Sequence, residues 1–254
     1  MKLAPVFGSL AILGLSACAH PPSDPDALAD YNSINDPAEP TNRTIFAGNM
    51  YVDRHVLKPV AVAYTDNVPE GARTRIHNFT SNLEEPGIAV NDVLQGNLDR
   101  AWNTTERFTV NTIVGGIGLF DVASDWDHPH QSADFGQTLG VWGVGPGPAV
   151  QLPLFGPSNA RDAVGKVAGI VTDPLTLASG GVVTVVKAGS GAFGAVDARA
   201  KLVPETDELE RTSLDYYATL RSIVAQKRAA MVEDGKAGGL TEHVSVSPTK
   251  LDDD

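Results

Sequence analysis

Cysteine is nearly absent from this chain of 254 residues: Cys18 stands alone. One thiol excludes an internal disulfide and any thiolate metal cluster. Clustered basic residues are missing too. Nineteen Lys and Arg face thirty-one Asp and Glu, for a formal charge of −12, and without a basic patch nothing neutralises the phosphates of a nucleic acid. Aromatic residues make up only 6%. After the N-terminal stretch no run of eighteen apolar residues occurs, so no membrane-spanning helix is expected. Neither the Gly-x-Ser-x-Gly elbow of α/β-hydrolases nor a His-Glu-x-x-His zinc motif is present.

The N-terminus carries a strong local signal. Met1-Lys2 supplies a positive start and Leu3 to Leu15 an apolar segment too short for a mature span, the pattern of a signal peptide over residues 1–17. It ends in Leu15-Ser16-Ala17-Cys18, which resembles the acceptor site of bacterial lipoproteins. The expectation is a covalent lipid on Cys18, and Ala19 rather than Asp after it implies delivery to the outer membrane. Residues 18–35, rich in Pro, Asp, Ser and Asn, read as a flexible tether. A domain over 36–233 follows, and 234–254 reads as a polar, acidic, disordered tail.

Within the domain the periodicity is helical. Ile45, Val52, Val56 and Val60 recur near helical spacing. Asn67-Val68-Pro69 predicts a cap and first turn for a helix to about Leu83, and Pro86 the start of a separate short helix ending at Gly96. Another helix is expected from Asp99 to Val114. Ser158 to Asp162 caps one reaching Asp173-Pro174, and Thr206-Asp207 predicts the start of the last. Glu84-Glu85 and Asp66 read as charges at helix ends. The centre, Gly115 to Pro157, has too much Gly and Pro for long helices or central strands, yet is too apolar for disorder. An ordered functional loop is the expectation.

Two stretches invite an enzyme reading. VVTVVKAGSGAFG places Gly189, Gly191 and Gly194 in G-x-G-x-x-G spacing after a β-branched run, the arrangement that cradles a pyrophosphate at a helix start. The strand and helix alternation of such a fold does not continue around it. Small residues from Ala188 to Ala198 instead predict a helix with a close-packing face. The cluster Asp125-Trp126-Asp127-His128-Pro129-His130 has metal-ligand chemistry, but the proline between the imidazoles and the lack of a second ligand group favour a surface loop.

Three stretches are similar to the MlaA family of outer-membrane lipoproteins, also called VacJ. They are DPAEPTNRTIFAGNMYVDRHVLKPVAVAY with NVPEGARTRIHNFTSNLEEP and NDVLQG; RFTVNTIVGGIGLFDVAS; and FGQTLGVWGVGPGPAVQLPLFGPSNARDAVG. The resemblance spans about Asp36 to Arg228. It implies an all-α fold, a ring-shaped bundle of short amphipathic helices around a central amphipathic channel with a long Gly/Pro-rich ordered loop. It also implies that phospholipid misplaced in the outer leaflet passes through the channel to a periplasmic phospholipid carrier, next to a trimeric porin, with no bond made or broken and no cofactor or metal. The protein would lie in the periplasm-facing leaflet. The alternative is a structural envelope lipoprotein that binds porins without moving lipid.

A lipid path needs apolar walls for tails and polar groups for heads. Candidates in the central loop are Gly115, Gly116, Gly118, Leu119, Phe120, Asp121, Trp142, Leu152 and Phe155, with Asp125, Gln137 and Gln151 as further head-group contacts. Where members of the family commonly carry Gly-Phe before Asn-Arg, this chain has Pro40-Thr41, so Thr41, Asn42 and Arg43 are hinge candidates. Replacing Cys18 by Ser is expected to remove the protein from the outer-membrane fraction on density-gradient separation. Unchanged fractionation would refute lipidation at that position.

Overall fold

The computed structural model describes residues 34–178 and 181–240. Cys18, the signal peptide, most of the tether and residues beyond 240 lie outside the described residues.

The chain opens with α1 (Glu39–Val52), which carries Pro40 in its first turn, where a missing N–H costs nothing. A π-helical turn, Asp53–Leu57, leads without a break into α2 (Lys58–Asn67). Pro69 caps α3 (Glu70–Leu94). This helix corrects the expectation of two helices, because Pro86 lies inside it. The proline removes one backbone bond, at about 3 kcal/mol. The long seam between α3 and α4 (Leu98–Ile113) holds both halves in line. Gly96, at φ +79°, closes α3 in the left-handed conformation.

The centre contains more regular structure than its composition suggested. Two short helices, α5 (Val122–Asp125) and α6 (Phe135–Val141), precede an antiparallel hairpin of β1 (Ala149–Leu152) and β2 (Gly156–Asn159). Gln151 pairs with Pro157, which is tolerated because each strand of a two-stranded ribbon has a free edge. Asn159 then caps α7 (Ala160–Thr172) by accepting from the Asp162 N–H at 2.9 Å. After α8 (Pro174–Ala178) comes α9 (Gly181–Thr212), a continuous helix that includes the G-x-G-x-x-G stretch. Thr206 and Asp207 therefore do not start the last helix. The Thr206 hydroxyl turns back to the carbonyls of Leu202 and Val203, leaving Asp215 to cap α10 (Tyr216–Ala237).

Packing neighbours close on themselves. α1 and α2 lead to α9, α9 lies on α3, α3 meets α6, α6 packs on α10, α10 touches β2, and the hairpin returns to α1. The fold is helical, with one small ribbon completing the circuit.

Burial in this circuit is inverted. Among the described residues the buried apolar side chains are Ala61, Ile88, Ala101, Ala123, Tyr217 and Val232, whereas eighteen polar or charged side chains are buried. Large apolar residues such as Ile113, Phe155, Val167, Ile170 and Leu177 are more than 60% exposed. Soluble domains bury such residues. No described helix is long and apolar enough to cross a membrane.

Glycines bring the elements of this polar interior together. A Cβ on Gly165 would lie 2.4 Å from the Gly136 nitrogen, and one on Gly140 would lie 2.6 Å from Val232. Gly165→Ala is expected to destabilise by about 1–3 kcal/mol, because backbone cannot give way. Gly169→Ala, in open space on the same helix, should stabilise by about 0.5–1 kcal/mol. Unfolding in detergent micelles tests the contrast, and equal shifts would sink the close-approach account.

Candidate functional site

The polar interior is built around Arg107 on α4, 3% exposed. Its five N–H groups are all used. Nε donates to Glu85 Oε1 at 2.9 Å, Nη1 to Ser124 Oγ at 3.0 Å and to the His128 carbonyl, and Nη2 to both Asp121 oxygens at 3.1 and 3.2 Å. One helix residue thereby fixes α3 and two turns of the central loop. Asn111, one helical turn along, donates to Asp121 at 2.9 Å and accepts from the Ala123 N–H. Burial pushes the Asp121 carboxyl up, but hydrogen bonds from Ser124 and Asn111 and the charge of Arg107 outweigh it and hold the group below its usual value. Asp92 lacks such a partner. Burial pushes it up to about 6 despite the Thr104 hydroxyl bond at 3.0 Å.

Glu85 is not an end-of-helix charge as its sequence position suggested. It sits inside α3 with 1% exposure, because the helix runs through Pro86 and carries it under α4. The histidines of the Asp-His-Pro-His segment join this network: His130 Nδ1 lies 3.1 Å from Glu85, and His128 Nδ1 lies 3.2 Å from Asn103 Oδ1 and 3.4 Å from Glu106. Among the described residues no group of three or more His, Cys, Asp or Glu is arranged to hold a metal.

A second knot ties α6, α7 and α10. Arg228 bonds Asp134 through both terminal nitrogens and Asp162 through Nε at 2.8 Å. Arg161 Nε meets the other Asp162 oxygen at 2.9 Å. Burial raises the carboxyls of Asp134 and Asp162, and the Arg228 hydrogen bonds and charge reverse this, leaving both below the usual range. Gln137, expected to face head groups, is instead fully buried and donates to the Met231 carbonyl at 2.6 Å. Gln151 is likewise buried, its N–H bonded to Asn42. A third knot centres on Asp36, which accepts from Asn42, the Tyr217 hydroxyl and Arg221.

The candidate residues fall at three places on this frame. Gly115 to Asp121 form the turn after α4. Cβ atoms on Gly115 and Gly118 would lie 2.2 Å from the Phe120 carbonyl and 2.6 Å from Asn82, and Gly116 and Gly118 have positive φ. The tight turn leaves Leu119 and Phe120 about half exposed, with the Arg75 guanidinium 4.9 Å from the Phe120 ring centre. Asp121 belongs to the Arg107 network. Trp142, at the end of α6, is also half exposed and donates its indole N–H to the Leu94 carbonyl at 2.8 Å. Leu152 and Phe155 sit on the hairpin, whose Leu152 carbonyl and Leu154 N–H are clamped by Asn49. None of the nine lines the cavity of about 760 Å³ between α10 and the 140–161 segment, whose walls include Val144, Pro146, Arg221, Val224 and Val232.

Thr41, Asn42 and Arg43 lie in the first turns of a continuous α1. Asn42 fastens it to β1 through the Ala149 carbonyl and the Gln151 N–H, and Arg43 fastens it to Asp215 while also pairing with Glu39 of the same helix. Sequence reasoning passed over Arg107, Arg228 and Asp36, and read Glu85 and Asp162 only as a helix-end charge and part of a capping run. A buried polar partner has no periodic signature. Even so, Asp36, Arg107, Asp121 and Asp162 all lie in the three stretches that carry the family resemblance.

Comparison with known proteins agrees with the helical fold. A family model described as MlaA lipoprotein matches residues 34–231. The chain is 37% identical over 82% of its length to an intermembrane phospholipid transport system lipoprotein MlaA of Shigella flexneri, itself covered over 82%. It is 32% identical to the protein of that name from Haemophilus influenzae, over 89% of each chain. A chain solved in work on the structural basis for maintenance of bacterial outer membrane lipid asymmetry superposes with a TM-score of 0.69 at 38% identity, covering 78% of this chain and 98% of that one.

The Arg228 knot has a pH signature. Asp162 has a lowered carboxyl value in the folded chain, so its stabilisation is complete above the ordinary carboxyl range and is lost as pH falls through the folded value. Arg228→Met leaves Asp162 its Arg161 partner but takes the cation from Asp134, whose sign should reverse: burial then raises that carboxyl, and stability near neutral pH drops and partly recovers on acidification. Melting temperatures from about pH 7 to pH 4 check this. A variant with the pH profile of the parent would refute the role of Arg228.

Proposed function

The chain belongs to the MlaA lipoprotein family, and on that premise we propose that it serves an intermembrane phospholipid transport system, removing phospholipid misplaced in the outer leaflet and maintaining lipid asymmetry. Its inverted burial carries the reading. An exterior of exposed Val, Ile, Leu and Phe around a hydrogen-bonded polar interior is a liability in water and stable in lipid. In the proposed arrangement the acylated Cys18 holds the ring in the periplasm-facing leaflet of the outer membrane. A trimeric porin stands beside it, and a soluble periplasmic carrier receives the lipid.

The physical task is to keep two acyl chains out of water. Exposing about thirty methylenes would cost roughly 0.8 kcal/mol each, above about 20 kcal/mol in total. Tails therefore need apolar contact along the route. Leu119, Phe120, Trp142, Leu152 and Phe155 are proposed to supply it, while the glycines of the 115–118 turn keep that rim thin. The work is transfer, and no side chain is assigned a chemical step.

Reconstitution tests the reading. Purified lipoprotein with porin should move labelled phospholipid from asymmetric bilayers to the carrier. Retained porin binding with no transfer would favour the structural alternative. Phe120→Lys and Trp142→Lys should each lower transfer about tenfold while shifting the melting temperature by only a few degrees. Parallel loss of transfer and stability would mean that these side chains serve packing instead.

A further inference from the structure

Most of the circuit is fastened by buried polar knots, but α9 is held differently. It lies across α2 and α3. Among its described side chains only Asp197 is buried, while Val185, Val186, Phe193 and Leu202 are exposed. What attaches it is a set of ion pairs, one from Lys187 near its start to Asp173 just before α8 and a row along its second half. Arg199 bonds both oxygens of Asp53 at 2.7 and 2.9 Å, Asp207 accepts from Lys58 at 2.7 and 2.8 Å, and Glu210 pairs with Arg54. Just past the end of α9, Asp215 pairs with Arg43. Asp197 adds His77 of α3 at 3.1 Å, while Lys201, one turn along α9 itself, lies 3.0 Å from the same carboxylate.

The π-helical turn belongs to this row. Asp53 and Arg54 are its first residues and Lys58 follows its last, so the widened turn presents three charges to one neighbouring helix. Such turns mark functional places more often than ordinary helix does. The pairs made by Arg43, Arg54 and Lys58 are part-exposed to solvent, so salt weakens them where it would leave an apolar seam intact. The segment Ser213–Asp215, with Leu214 wholly exposed, separates α9 from α10.

We propose that α9 is a movable wall of the ring, which swings off α2 and α3 about Ser213–Asp215, with Asp215 kept on Arg43, by parting the other ion pairs and so opens a lateral passage for acyl chains. The passage rests on the transport reading above; the motion does not.

A cross-link separates the two. A Cβ on Gly194 would lie 3.8 Å from Thr80 Cβ on α3, the spacing of a disulfide. In the full-length lipidated protein in nanodiscs, hydrogen exchange over 185–212 should accelerate several-fold when salt rises from about 50 to about 500 mM. It should also accelerate in Lys58→Ala, and slow in oxidised Thr80→Cys/Gly194→Cys, with α4 unchanged in each case. Exchange in α9 that ignores salt, or rises together with α4, overturns the movable wall. Phospholipid transfer to the carrier should fall about tenfold in the oxidised pair and return on reduction; full transfer with the disulfide verified overturns the lateral passage. Salt-dependent exchange in a wild-type protein that transfers no lipid would uphold the motion and refute the transport reading. Should the cysteine pair fail to fold, the charge swap Lys58→Asp with Asp207→Lys takes its place. It should restore the protection from exchange lost in Lys58→Ala, and failure to restore it counts against the row.

Discussion

A guanidinium shut away from water needs an acceptor for each of its donors, and the structure depends on how Arg107 meets that demand. Its partners come from α3, α5 and the segment before α6, so satisfying one side chain positions three parts of the fold. Leaving any partner unmatched would cost about 1–3 kcal/mol, more for a charge. Arg228 and Asp36 repeat the device at the α6, α7 and α10 crossing and at the start of α1. The interior is specified by directional bonds where an ordinary domain would use apolar shape.

That choice follows from the environment proposed for the protein. In lipid, contact between apolar faces gains little, because acyl chains are as apolar as leucine, and association falls to close packing and hydrogen bonds. The glycines at 136, 140 and 165 serve the first requirement by letting backbones approach where no Cβ fits. The arginine knots serve the second. The exposed apolar side chains then need no internal partner, and the same residues that would aggregate in water become the surface presented to the bilayer.

The molecule is graded in how firmly its parts are held. α3 and α4 share a long seam closed by Arg107 on Glu85, Thr104 on Asp92 and Asn82 on Thr112. α9 shares a row of ion pairs that water and salt can reach. Local opening draws on the weakly held elements first, which is why a wall fastened by exposed charge differs in kind from one fastened by buried charge.

Helical periodicity, the turn chemistry around Asn159 and the glycine-rich centre made the helical class, the start of α7 and the ordered central segment legible in the chain itself. Capping and periodicity are local, and local patterns survive folding. The continuity of α3 through Pro86 and of α9 through Pro204 was decided by packing, since a proline's local cost is smaller than the hold of a neighbouring helix. The same limit applies to the site. The candidates from Gly115 to Phe155 were found by composition, but their separation onto three elements was not visible there. Arg107 shows no pattern at all, and Glu85 and Asp162 none that marks them as buried ion-pair partners, because such a pair joins residues far apart in sequence. The chain by itself determined which segments are helical and which bend; only the tertiary structure decided which charges go inside, because burial of a charge is settled by the partner it meets.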